Sequence, residues 1–280
     1  MEYHITLAML NEFVSTLQEE EKSQTTINKY VRDVKAFINY IGENEGVTKS
    51  QVIRYKQYLI QKYAAVSVNS MLAALNRFFK MNGWYNCIVR SIKIQNEAFR
   101  SQERELSREE YVRLLNTAKR KGKQRLYLLM ETICATGIRV SELKFITTEA
   151  VCAGYARVSL KGKIRTILLP AKLCRKLKKY CKICRIKSGC VFITRHERPL
   201  DRSNILREMK ALCKDAGVER TKVFPHNLRH LFAVTYYQIE KDLGHLADLL
   251  GHCNVNTTRI YTKISLKKQQ KYVNSLRLIL

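Results

Sequence analysis

Apolar residues recur at three- and four-residue steps through most of positions 5–82, and no proline breaks the pattern. Only helices with one buried face satisfy that spacing, so the first hundred residues are expected to form a helical bundle. Four amphipathic helices are predicted, over about 5–20, 25–42, 49–63 and 67–82. In the second, Ile27, Tyr30, Val31, Val34, Phe37, Ile38 and Ile41 form the inward stripe while Lys29, Arg32 and Lys35 flank it. Met71, Leu72, Leu75, Phe78 and Phe79 do the same in the fourth, which Gly83 ends.

The periodicity lapses in "IQNEAFRSQERELS", a polar, charge-alternating stretch that reads as a linker over 96–106. It separates a first domain, 1–95, from a second, 107–280. The second opens with Ser107 and Glu110, a capping-box pair just ahead of Tyr111, Val112, Leu114 and Leu115. Helices are expected near 123–135 and from Ile138 onward. "GYARVSLKGKIRTILLP" (154–170) then alternates apolar and polar residues around Lys161-Gly162-Lys163, as a β-hairpin does. "CVFIT" (190–194) is expected to add a strand, and from 202 the pattern is helical again. The predicted fold class is mainly α: a four-helix N-terminal domain and a mostly helical α+β second domain with a small β-sheet. A chain of 280 residues can bury a core in each.

Charge narrows the partners. Lys plus Arg number 51 against 24 Asp plus Glu, a net +27 spread along the chain. Such a field attracts polyanions, of which nucleic acid is the commonest, although a Lys-rich surface alone would give the same total. No signal pattern opens the chain and no apolar stretch nears the roughly 18 residues of a membrane span, so the expected location is the cytoplasm, with no membrane partner. Nine scattered cysteines suit reduced thiols rather than a disulfide framework. Cys174, Cys181, Cys184 and Cys190 include a CxxC that invites a zinc site. In "AKLCRKLKKYCKICRIKSG", however, the first three fall on one helical face, and burial is the preferred reading. Neither metal nor cofactor is expected.

The C-terminal half carries a set of side chains with a shared chemistry. Attack on a DNA phosphate needs fixed cations for an anion that gains charge in its transition state, and an arginine fork matches two phosphate oxygens. It also needs a nucleophile, which tyrosine can be if its proton is removed, and an acid for the leaving oxygen. His226 and Arg229 stand three apart in the first turn after Pro225. His252 follows Gly251 at a helix end, and Tyr261 lies beyond the polar turn "NVNTT" (254–258). Arg139 comes just after Gly137 breaks a helix. Each alone has an ordinary reading as a surface arginine, a structural histidine or a semi-buried ring; together they compose a phosphoryl-transfer site.

"ATGIRVSEL", "LKGKIRTILLP", "PHNLRHLFA" and "LLGHCNVNTTRIYTK" resemble, in order and separation, the motif boxes of the tyrosine recombinase family, also called phage integrases. "TTINKYVRDVKAF" and "SVNSMLAALNRFFK" more weakly resemble that family's four-helix core-binding domain. The resemblance implies a site-specific DNA recombinase that integrates or excises a mobile element or resolves dimers. Arg139 and Arg229 would clamp the scissile phosphate, and Tyr261 would attack it to leave a 3′-phosphotyrosyl link. Lys161 would be the general acid, His226 would take and return the tyrosine proton, and His252 would hydrogen-bond a phosphate oxygen. The implied partners are double-stranded DNA gripped as in a clamp, a homotetramer on two duplexes, and accessory DNA-bending proteins.

This sequence departs from the family pattern in places. Leu160 stands where a glycine usually precedes the lysine and the turn is one residue shorter, which keeps Lys163 as an alternative acid. Asn227 and Leu231 replace a common acidic residue and a common threonine. Glu142 matches a recurrent glutamate, read either as orienting Arg139 or as a surface carboxylate. The tail "SLKKQQKYVNSLRLIL" (265–280) puts Tyr272, Val273, Leu276 and Leu280 on one face, to dock on a neighbouring protomer or fold back on its own. Two other functions remain open. "HLADLLGHCNVNTTRIYTK" also fits the helix-turn-helix of a non-catalytic regulator, with Thr257, Thr258 and Arg259 facing a groove. A type IB topoisomerase-like enzyme that nicks and reseals would use the same site residues.

Overall fold

A computed structural model describes residues 2–42, 45–94, 105–160, 163–194, 196, 198–251, 254–261 and 275, apart from the side chains of 160, 163 and 256. The chain divides into two compact units, Met1–Asn96 and Glu97–Leu280.

The first unit contains α1 (Leu7–Glu19), α2 (Gln24–Ile41), α3 (Lys49–Lys62) and α4 (Ala65–Met81). Thr6, Ser23 and Thr48 cap the first three by accepting backbone N–H groups of the opening turn, and Thr48 completes a capping box with Gln51. Phe13, Phe37, Phe78 and Phe79 are fully buried between the helices, each worth roughly 1.5–3 kcal/mol. The side chains of Asn69 and Asn76 hold the backbone of Ile92 and Val89, fastening the segment that leaves α4.

The second unit is built around α6 (Gln124–Thr136), which packs against α5 (Arg108–Arg120), α8 (Ala171–Ile183), α9 (Arg202–Lys210) and α11 (Pro225–Glu240). Burial of Leu126, Leu128, Leu129, Met130, Thr132, Ile133 and Thr136 covers most of its circumference, as a central helix requires. Its two buried threonines donate to carbonyls one turn back, at 2.7 and 2.6 Å, so neither hydroxyl is orphaned. Ser107 and Glu110 form the expected capping box of α5. The short helices α7 (Thr148–Ala153) and α10 (Cys213–Ala216) and the later α12 (Leu243–Leu250) complete the helical set.

The hairpin is present: β1 (Tyr155–Leu160) and β2 (Lys163–Leu168) pair antiparallel, with Val158 opposite Arg165. Ala156, Val158, Ile167 and Leu169 face the core, while Ile164 and Leu168 are exposed.

Several details differ from the sequence reading. No helix starts at Ile138; the chain instead makes a 3-10 helix over Val140–Phe145. Residues 190–194 add no strand. Cys190 and Ile193 make only isolated bridges, to Thr147 and Pro199, because Val191 and Phe192 insert into the core without a neighbouring strand to extend. Cys174 and Cys181 are buried on α8, but Cys184 is exposed at the helix C-cap rather than sharing their face. The 265–280 tail lies outside the described residues apart from Ser275. Among the described residues no helix is long and apolar enough to cross a membrane.

Candidate active site

Two left-handed glycines assemble the site. Gly137 (φ +64°) ends α6 and turns the chain toward Arg139. Gly251 (φ +62°) ends α12. Neither position has room for a side chain. A Cβ at Gly137 would meet Phe232 Cδ1 at 2.4 Å, and one at Gly251 would meet Arg165 Cδ at 2.6 Å.

The helix ends these glycines create collect cations. Arg229, in the first turns of α11, is 2 % exposed and donates to the carbonyls of Gly137 at 2.6 Å and Leu250 at 2.8 Å. Arg165 donates to the carbonyl of Leu249, and Arg139 reaches that of Gly251 at 3.4 Å. Three consecutive carbonyls at the C-terminus of α12 thus accept from three different arginines. The partial negative charge of a helix C-terminus offsets part of the repulsion that gathering them costs.

Glu142 supplies a carboxylate to this network. It is buried, 1 % exposed, and accepts from the Arg139 backbone N–H at 2.7 Å and the Arg139 guanidinium at 3.1 Å. The Arg165 guanidinium binds its other side. Burial works to raise its pKa, yet the Arg139 N–H and the Arg165 and Arg139 charges outweigh that and hold the carboxyl below its ordinary value. Glu142 is therefore not a surface carboxylate; it orients Arg139.

His226 and Arg139 line a cleft of about 410 Å³, together with Arg229, Arg202, Ile138 and Phe224. Burial lowers the His226 pKa, and the charges of Arg229, Arg139 and Arg202 lower it further. Burial and the Arg139 charge likewise lower Arg229, to about 10, which leaves it cationic at neutral pH.

Tyr261 ends a 3-10 turn, Arg259–Tyr261, that packs on α11. It is 3 % exposed among Ala233, Leu246 and Leu250, the last being the residue whose carbonyl Arg229 holds, and stands edge-on to His230 with ring centroids 5.0 Å apart. The structure thus brings Arg139, His226, Arg229 and Tyr261 into one neighbourhood of a single chain. Lys161 and His252 lie outside the described residues, as does the side chain of the alternative acid Lys163. Asn227 is buried and donates to the Lys222 carbonyl at 2.7 Å, bracing the entry to α11.

The helix-turn-helix alternative does not fit. Over 254–261 the chain forms only 3-10 turns, Val255–Thr257 and Arg259–Tyr261, in place of a second helix, and Thr258 is fully buried although Thr257 and Arg259 face outward. The sequence reading also passed over Arg165, His230 and Arg202. Arg165 carried a readable signal: alternation along β2 puts it on the same face as Ile167 and Leu169, and a charge on a buried face calls for a partner.

Both parts of the chain match known proteins. Residues 104–268 match the phage integrase family and residues 10–84 match the phage integrase N-terminal SAM-like domain. Tyrosine recombinase XerA of Pyrococcus furiosus is 28% identical over 281 residues, covering 97% of this chain and 94% of that protein. Tyrosine recombinase XerD of Listeria monocytogenes is 28% identical over 269 residues, covering 88% of this chain and 90% of that one. The crystal structure of a lambda integrase tetramer bound to a Holliday junction superposes with a TM-score of 0.72 at 21% identity, covering 92% of this chain and 77% of that one.

Proposed function

Because this chain belongs to the phage integrase family and is a site-specific DNA recombinase, we propose that it cuts and rejoins duplex DNA through a phosphotyrosyl ester on Tyr261. The observation that carries this reading is that Tyr261 packs against Leu250, the residue whose carbonyl Arg229 holds, in the same chain. Arg139 and Arg229 clamp the non-bridging oxygens of the scissile phosphate and stabilise the charge that builds there. The Tyr261 oxygen attacks phosphorus and the bond to the 5′-oxygen breaks, leaving a 3′-phosphotyrosyl link. Lys161, between the hairpin strands, gives its proton to the departing 5′-oxygen. His226 accepts the phenolic proton, a role favoured by the lowered pKa that keeps its ring neutral. His252 donates to a phosphate oxygen.

Attack by the 5′-hydroxyl of a second strand reverses these steps onto a new partner. The ester conserves the bond energy, so no nucleotide hydrolysis is needed. Exchange between two duplexes calls for four such sites, and the lambda integrase tetramer on a Holliday junction supports a homotetramer here. The helical N-terminal unit, which matches the N-terminal domain of phage integrases, provides a second DNA-binding surface.

A nicked suicide duplex carrying the recombination site tests the reading. Wild-type protein is expected to form a covalent adduct visible in a denaturing gel, and Tyr261→Phe to bind the same duplex without one. An adduct that persists in Tyr261→Phe overturns the assignment. Strand exchange between two labelled duplexes then distinguishes a recombinase from an enzyme that only relaxes supercoils.

A further inference from the structure

Arg165 is a tightly held cation outside the set assigned above. Its side chain is 11% exposed, on the inward face of β2. One guanidinium nitrogen binds Glu142 and another the Leu249 carbonyl, partners 23 and 84 residues away in the chain. Its aliphatic stem occupies the space that a side chain at Gly251 would need. Its Nε is buried and has no hydrogen-bond partner among the described residues. A surface arginine satisfies its donors in water, so burying this one with an unmet nitrogen is a cost that the fold sustains.

Its position explains why. Glu142 has two oxygens facing two arginines: Oε1 takes the Arg139 guanidinium, while Oε2 takes the Arg139 backbone N–H and Arg165. Without Arg165 the carboxylate would keep only its two bonds to Arg139 itself, and nothing outside that residue would fix where Glu142 holds the guanidinium. Arg165 also anchors the same helix end whose next two carbonyls hold Arg229 and Arg139. One side chain therefore braces both arginines of the phosphate clamp, from a strand that contributes neither.

We propose that Arg165 is a positioning residue of the active site: through Glu142 and the end of α12 it fixes the guanidinium groups of Arg139 and Arg229 against the scissile phosphate, without touching DNA. This rests on the reading of those two arginines as the clamp. A misplacement of a catalytic group by about 1 Å costs on the order of 10²-fold in rate, and that is the loss expected for Arg165→Gln in single-turnover cleavage of the suicide duplex. Duplex affinity should stay close to wild type. Arg165→Lys, which keeps the charge but offers no fork, should recover only part of the rate.

The decisive substrate carries a methylphosphonate at the cleaved position, where a methyl group replaces one charged oxygen. An uncharged centre needs much less from the clamp, so the deficits of Arg165→Gln and Arg139→Ala relative to wild type should both shrink on it. A deficit of Arg165→Gln that is equally large on both substrates, with Arg139→Ala rescued, overturns the proposal and leaves the clamp intact. Failure of rescue in both variants overturns the clamp reading and the proposal with it. If Arg165→Gln does not fold, Glu142→Gln carries the same comparison, since it weakens both arginine links at their shared carboxylate.

Discussion

Arg229 donates to the Gly137 carbonyl at 2.6 Å across 92 residues of sequence. That bond ties the start of α11, which lines the cleft, to the left-handed turn at Gly137 that ends α6. The candidate site is therefore held by backbone carbonyls at helix ends, and its geometry depends on the glycines that end those helices.

Gly137→Ala is expected to destabilise the protein. The new Cβ would press on Phe232 while adopting a φ of +64°, a combination costing roughly 1–3 kcal/mol for the crowding alone. Thermal denaturation should show a lowered Tm and suicide-substrate cleavage should slow as Arg229 loses its register. An unchanged Tm would mean that Phe232 moves aside freely.

Arg229→Lys keeps a positive charge and loses the fork. A single ammonium cannot reproduce bonds to both Gly137 and Leu250, and each buried carbonyl left without its donor costs about 1–3 kcal/mol. Cleavage should fall by about 10²–10³-fold, the usual cost of removing one transition-state donor. Calorimetry and adduct kinetics on the same preparation separate the two effects; wild-type cleavage by the lysine variant would remove Arg229 from the clamp.

His226 makes stability depend on pH in a defined direction. Its folded-state pKa lies below the ordinary 6.5, so the unfolded chain takes up this proton first as pH falls through that value. Stability should decline below about pH 6.5, with the loss complete once the lowered folded pKa is passed. Chemical denaturation of wild type and His226→Gln across this window should show a shallower slope in the variant. Identical slopes would show that the imidazole is not desolvated.

Duplex binding should be strongly salt-dependent. If the +27 chain neutralises about six to ten phosphates, affinity should drop by roughly 10³–10⁵-fold between about 50 and 200 mM salt. A titration of the binding constant against salt measures the slope, and a flat response would exclude an extensive phosphate interface.

Local signals made much of the fold legible. The amphipathic stripes of α1–α4 and the capping box at Ser107 and Glu110 are set by residues within about four positions of each other, and the alternating run at 154–170 shows both hairpin strands at once. Arg139, His226, Arg229 and Tyr261 could be named because each stands in a short motif whose residue types share one chemistry. "CVFIT" failed as a strand for the complementary reason: its composition suits β-structure, but the chain beside it offers only isolated bridges, at Cys190 and Ile193, and no ladder to extend.

The sequence by itself determined where most of the helices lie, which of their faces are apolar, and which side chains could serve a phosphoryl transfer. Tertiary structure alone decided that Glu142 is buried between two arginines, that Thr258 points inward, and that three arginines converge on three successive carbonyls of one helix. Those contacts span up to 112 residues. A hydrogen bond acts over about 3 Å in space, and no spacing along the chain records which distant groups the folded core will bring that close.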